Sequence, residues 1–266
     1  MKPVQSAREK EWKRLLKQER LFLYHGAVKK ETKLNQILAD KVPPKLQTTL
    51  DAAFSKAFET VFEKGTGVIE KTYNKEEIAH RFKVNTYSAD LAENRKTLRQ
   101  FSKESANRSR KNVLLTGLEG VGLGALGIGI PDIPVFVGVM LKGIYEIALN
   151  FGYGYESREE KYFILKLIET ALSHGSQLNG GNTAVNEYIV TGEIPESYDQ
   201  TRQIRTTAET MSTELLYLKF LQGIPLVGVV GGASNSVYLQ KVLKYAKLKY
   251  HQRFLSDGEQ GTENQD

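Results

Sequence analysis

Between Gly120 and Leu141 the chain carries a single charge, Asp132, inside the apolar stretch VLLTGLEGVGLGALGIGIPDIPVFVGVMLKGIYEIAL of residues 113–149. Gly117, Gly120, Gly124 and Gly127 stand three, four and three apart, so on a helix they make one seam without side chains. Each glycine costs a helix about 1 kcal/mol against alanine, and close approach of a second backbone is what offsets that cost. Pro131-Asp132-Ile133-Pro134 breaks the run. Pro131 closes the first arm, Pro134 suits the first turn of the next, and Asp132 stands where a carboxylate caps free N–H groups. A second glycine-rich segment, GIPLVGVVGGASNSVYL over 223–239, repeats the Gly-Ile-Pro of 129–131 and sets Gly228 and Gly232 in G-x-x-x-G spacing. The two segments are therefore expected to pack seam against seam. Each arm falls short of the roughly 20 residues a bilayer-crossing helix needs, which favours a buried hairpin or a shallow insertion over a span.

The rest of the chain reads as helix, and the expected class is all-α. Leu46, Leu50, Ala53, Phe54, Ala57, Phe58, Val61 and Phe62 fall on one face of a helix over 45–63, after the break at Val42-Pro43-Pro44. Asn74 caps a long polar helix running toward Lys111, and Ser157, with Glu160 three residues on, caps one running to His174. GSQLNGGN over 175–182 reads as a loop, 183–190 as a short helix closed by Gly192, and 196–222 as a further helix. No run alternates with the period of two that a sheet requires.

Charge is more informative in its placement than in its sum of +6. Residues 1–33 hold ten Lys/Arg against four acids, and residues 91–112 hold seven against two. Residues 238–256 hold Lys241, Lys244, Lys247, Lys249 and Arg253 with no acid, whereas the last eleven residues hold four acids and no base and read as a frayed tail. The C-terminal run has Leu239, Val242, Leu243, Ala246, Tyr250 and Phe254 on one face with lysines around the rest, the composition of an interfacial helix and equally of a surface helix docked on a core. Lys241, Lys244 and Lys247 are the candidate lipid-facing cations. Nucleic acid is disfavoured, since no helix-turn-helix, zinc-finger or RNP-like pattern accompanies the charge.

Machinery for catalysis is not apparent. The chain has no cysteine, which removes thiolate metal sites and cysteine nucleophiles, and its four histidines lack metal spacing. Gly122-x-Gly124-x-x-Gly127 matches a dinucleotide fingerprint, but Pro131 cuts the helix that should follow it. No cofactor is expected. The polar residues of the apolar arms remain as a candidate site: Glu119 and Asp132, with Lys142 and Glu146, which belong to a stripe completed by Asn150. A pocket beneath the glycine seams lined by these groups, in an enzyme or a lipid-binding protein, is the alternative reading. The N-terminus shows no apolar secretory segment, so a cytoplasmic location is expected.

The ordered set of a glycine-rich run, Gly-Ile-Pro-Asp-Ile-Pro, a helix ending Ala148-Leu149-Asn150-Phe151-Gly152-Tyr153, and then Glu159-Glu160 resembles the EcsC family of bacterial proteins. The closing Pro225-Leu226-Val227-Gly228-Val229-Val230-Gly231-Gly232-Ala233 with Tyr238-Leu239 is similar to that family's C-terminal signature. The likeness spans roughly 75–255, which sets the expected organisation: an N-terminal helical extension over 1–74, the family domain over 75–255, and an acidic disordered tail over 256–266. The family is named after a protein encoded beside an ABC-type exporter and brings no established activity or catalytic residue. The resemblance implies a largely helical cytoplasmic protein, peripheral to the inner face of the membrane or to ABC-transporter components. Pro131, Asp132, Gly152 and the glycines match as structural marks.

Overall fold

The structure, a computed structural model, describes residues 6–27, 44–64, 67–70, 73–103, 133–221 and 233–263. Among these residues every regular element is an α-helix: α1 (Ala7–Ala27), α2 (Pro44–Lys64), α3 (Gly67–Glu70), α4 (Lys75–Leu91), α5 (Ile133–Asn150), α6 (Arg158–Leu172), α7 (Gly175–Thr191), α8 (Gln200–Leu221) and α9 (Ala233–Glu263). Residues 95–103 are also helical.

Local chemistry sets several of the boundaries. Asn74 Oδ1 accepts the Glu77 N–H at 2.9 Å and Ser157 Oγ accepts the Glu160 N–H at 3.1 Å, so both expected caps form. Asp199 does the same for α8, accepting the Arg202 N–H at 2.6 Å, which starts that helix at Gln200 and not near 196. The polar helix expected to run toward Lys111 stops at Leu91, because Asn94 restarts the chain by accepting the N–H groups of Lys96 at 2.8 Å and Thr97 at 3.1 Å.

Two expectations are corrected. GSQLNGGN is not a loop but the first half of α7, which does end at Gly192 in the left-handed region (φ 70°). Its glycines serve packing: a Cβ on Gly181 would lie 2.5 Å from Thr170 Oγ1 on α6, so only glycine lets the two helices close up here. The acidic tail does not fray at 256 either, since α9 continues to Glu263 and Asp257 accepts a hydrogen bond from the Tyr153 hydroxyl at 2.6 Å.

Helix α9 is the hub, packed by α1, α5, α6 and α7, while α8 lies against α2 and α6 and α5 takes α2 and α4 on its flanks. Helices α1 and α2, drawn from the stretch read as an N-terminal extension, thus pack within this assembly, and Phe54 and Phe58 of α2 are buried in the same core as Ile144, Phe163 and Val242. At the C-terminal end of α5 the chain turns through Gly152 (φ 85°), where Phe82 of α4 covers the backbone so closely that a Cβ would lie 2.3 Å from its ring.

Candidate functional site, a buried ion network and two outward faces

Glu19 of α1 and Lys249 of α9 occupy helix positions that otherwise carry apolar side chains, and both point inward. Lys249 is fully buried. Its Nζ donates to Glu19 Oε1 at 2.7 Å and to Asn186 Oδ1 at 2.6 Å. The carboxylate takes three more donors: Asn182 at 2.6 Å and Asn186 at 2.8 Å on Oε1, and Gln252 at 2.7 Å on Oε2. Tyr245, stacked on Phe22 with centroids 4.7 Å apart, closes the network by donating to Asn182 Oδ1 at 2.8 Å. Burial would raise the Glu19 carboxyl, but the Lys249 ammonium and the amide donors outweigh it and hold it at about 2. Burial also pulls the Lys249 ammonium down to about 8 against the attraction of Glu19. An amine enclosed on all sides by protein is a clamp across α1, α7 and α9, not a nucleophile offered to a reagent.

Two further carboxylates repeat the device. Glu160 of α6 accepts from the Tyr250 hydroxyl and, at 2.8 Å, from Arg253, whose guanidinium lies 4.0 Å from the Tyr153 ring centre. Glu11, also fully buried, accepts from Arg14 and from Arg99, each through Nε at 2.8 Å. Beside Glu11 lies His251, buried and stacked on Phe151 at 5.3 Å, with no hydrogen-bond partner among the described residues on either ring nitrogen. Burial first, then the positive charges of Arg14, Lys247 and Arg99, pull its imidazole down to about 4 against the pull of Glu11. Among the described residues no cluster of three His, Asp or Glu is placed to hold a metal ion.

His251 therefore makes a pH prediction. Above about 6.5 it is neutral in both folded and unfolded chains; between about 6.5 and 4 the unfolded chain takes up the proton first, so stability falls as pH falls through that window and levels off below it. His251→Leu, of similar volume and without buried unpaired nitrogens, is expected to keep or raise the thermal midpoint at pH 7 and to flatten its decline between pH 6.5 and 4. An unchanged decline would show that another group controls acid stability in this window.

The model of the EcsC protein family matches residues 9–255. The chain belongs to the EcsC protein family. The match begins well before 75 and takes in nearly all of α1, so it includes Glu11 with its partners Arg14 and Arg99, and Glu19 with its partners Lys249 and Gln252 on α9. Among proteins of Bacillus subtilis (strain 168), the chain is 25% identical to "Protein EcsC" over 251 residues, covering 93% of each chain. It is 23% identical to "Uncharacterized protein YdbA" over 173 residues, covering 61% of this chain and 60% of that protein. No solved structure matches.

The residues singled out from the sequence of this EcsC-family chain fall into three groups. Glu119, Asp132, Gly117, Gly120, Gly124, Gly127, Gly228 and Gly232 lie outside the described residues, and with them the proposed contact of the glycine seams. Lys142 is half-buried, while Glu146 and Asn150 are buried, Asn150 Nδ2 donating to the Glu146 carbonyl at 2.7 Å. The Asn150 amide thus bonds back onto the backbone of its own helix. Near the stripe Tyr73 donates to Tyr155 at 2.7 Å and Tyr155 to Glu70 at 2.6 Å; burial, with Glu70 and Glu146 adding to it, pushes the Tyr73 hydroxyl up to about 12. Of the three candidate lipid-facing lysines, Lys244 is exposed and Lys241 and Lys247 are half-buried, with Lys241 lying 6.0 Å from the Phe22 ring.

Two outward faces complete the picture. On α1, Lys10, Lys13, Lys17, Arg20, Leu21 and Tyr24 are all exposed and share one side of the helix, opposite buried Leu15 and Glu19. On α4, Val84, Tyr87 and Leu91 are exposed at i, i+3 and i+7, opposite buried Ile78, Asn85 and Ala89. Sequence reading missed the inward pairs, although a signal was present: Lys249 stands four residues after Tyr245 and three after Ala246, and Glu19 four after Leu15 and three before Phe22, in each case in line with an apolar row.

Proposed function

We propose that this chain is a non-catalytic helical protein of the cytoplasm that docks on the anionic inner face of the cell membrane, alongside ABC-type transporter components. The outward side of α1 carries the reading. Four cations with one leucine and one tyrosine lie within about 100° of arc, and no acid falls among them. Each such cation gains about 1 kcal/mol near anionic headgroups, and tyrosine favours the headgroup level. The buried row of Glu11, Leu15 and Glu19 fixes the roll of the helix, so this face is held outward. By length and composition alone the 18-residue α5 passes as a bilayer-crossing helix, but 67% of that stretch is buried inside the protein, which supports surface docking over spanning. The transporter part of the reading rests on the family resemblance.

Purified protein is expected to float with phosphatidylglycerol vesicles at low salt, to stay behind with phosphatidylcholine vesicles, and to be released at 1 M salt, where screening shortens to about 3 Å. Absence of flotation with either lipid would remove the membrane reading.

A further inference from the structure

We infer that the exposed ridge Val84–Tyr87–Leu91 of α4 inserts its side chains into the headgroup region of the anionic membrane face, making the membrane contact partly apolar; this rests on the membrane reading above. The three side chains are 50%, 66% and 69% exposed, which sets them among the most exposed large apolar groups of the described residues. They line one side of a helix whose other side is anchored by Ile78, Asn85 and Ala89, so the exposure belongs to a fixed surface.

Charge beside the ridge selects the partner. Lys83 is exposed next to Val84, and exposed Arg95 and Lys96 follow the Asn94 turn at its far end, where the run of seven cations in 91–112 begins. Of the acids along this stretch, Glu77 pairs with Arg81 at 2.5 Å and Glu93 with Arg8 at 3.8 Å, while Glu76 lies two turns before the ridge and Asp90 directly precedes Leu91 in the sequence. The Glu93–Arg8 contact also joins this end of α4 to the start of α1, a junction strengthened by Arg99 and Glu11 at 2.8 Å, so the ridge adjoins the helix that bears the outward cationic face. Apolar side chains bordered by cations suit a headgroup layer over acyl chains. A second copy of the chain suits them less, because it would bring the same cations together, and three side chains fall well short of the roughly 800 Å² per partner of a stable interface.

The test compares wild type with Tyr87→Glu/Leu91→Glu and with Tyr87→Trp, using phosphatidylglycerol vesicles at low salt. The double variant is expected to lose at least tenfold in vesicle affinity with its circular dichroism and thermal midpoint unchanged, since both positions are exposed. The fluorescence of the Tyr87→Trp variant is expected to shift to the blue on adding anionic vesicles, with wild type, whose indole is Trp12, as the reference. Should wild type and double variant float alike and the emission of the Tyr87→Trp variant stay fixed, the ridge inference fails while membrane docking stands. Should that emission depend on protein concentration without lipid, the ridge is an interface between copies and the inference fails. Should wild type not float at all, both readings fall together.

Discussion

Lys249→Met is expected to destabilise the fold by about 3–5 kcal/mol, the range for removing one member of a buried ion pair. The methionine fills much of the lysine's volume, so the cost is electrostatic: Glu19 keeps its amide donors but loses the cation that holds its carboxyl at about 2. The sign follows from linkage. With Lys249 present, the Glu19 contribution is complete above about 4.5 and is lost as pH falls toward 2. In Lys249→Met the carboxyl rises, so the loss sets in at higher pH. Adding Glu19→Leu is expected to recover much of the stability, because a buried pair replaced as a whole by apolar groups costs far less than one left half-broken. Urea denaturation of the single and double variants checks this, and equal midpoints for Lys249→Met and wild type would show that the clamp carries no stability.

Gly152→Ala is expected to cost on the order of 2–5 kcal/mol, the sum of two independent penalties. The backbone at φ 85° disfavours any L side chain by about 1–2 kcal/mol. The new Cβ would meet three atoms of the Phe82 ring at 2.3, 2.7 and 2.8 Å, and relieving such overpacking costs about 1–3 kcal/mol. Phe82 has little room to retreat, being packed on Phe101 at 5.8 Å and Phe254 at 6.4 Å. Phe82→Leu in the Gly152→Ala background should return part of the loss if the ring is the obstacle. A Gly152→Ala protein with an unaltered thermal midpoint would contradict this geometry of the α5 exit.

Much of the fold was legible because helix periodicity is a local signal. The apolar face from Leu46 to Phe62 gave α2, and Asn74, Ser157 and Gly192 marked helix ends where they occur. The loop read at GSQLNGGN shows where local signals fail: Gly181 is present for the Thr170 contact across two helices, a tertiary reason that composition does not carry. The same limit governed the basic runs. In α9 the row of Leu239, Val242, Leu243, Ala246 and Tyr250 is joined by buried Tyr238, Tyr245 and Leu248, so the helix is covered on most of its circumference and two of its five cations, Lys249 and Arg253, bind carboxylates of other helices. Those partners, Glu19 and Glu160, lie 230 and 93 residues away, a separation that no spacing rule within one helix reveals. Of the candidate polar and lipid-facing residues only Lys142, Glu146 and the three lysines of α9 fall among the described residues.

We propose that the N-terminal basic run, and not the C-terminal one, faces the membrane. Flotation with phosphatidylglycerol vesicles at low salt, comparing Lys13→Gln/Lys17→Gln/Arg20→Gln with Lys244→Gln, tests it most directly. All four positions are exposed, so neither variant should unfold the chain. The α1 variant is expected to stay at the bottom of the gradient while Lys244→Gln floats like wild type. Flotation of the α1 variant together with loss of Lys244→Gln would contradict it.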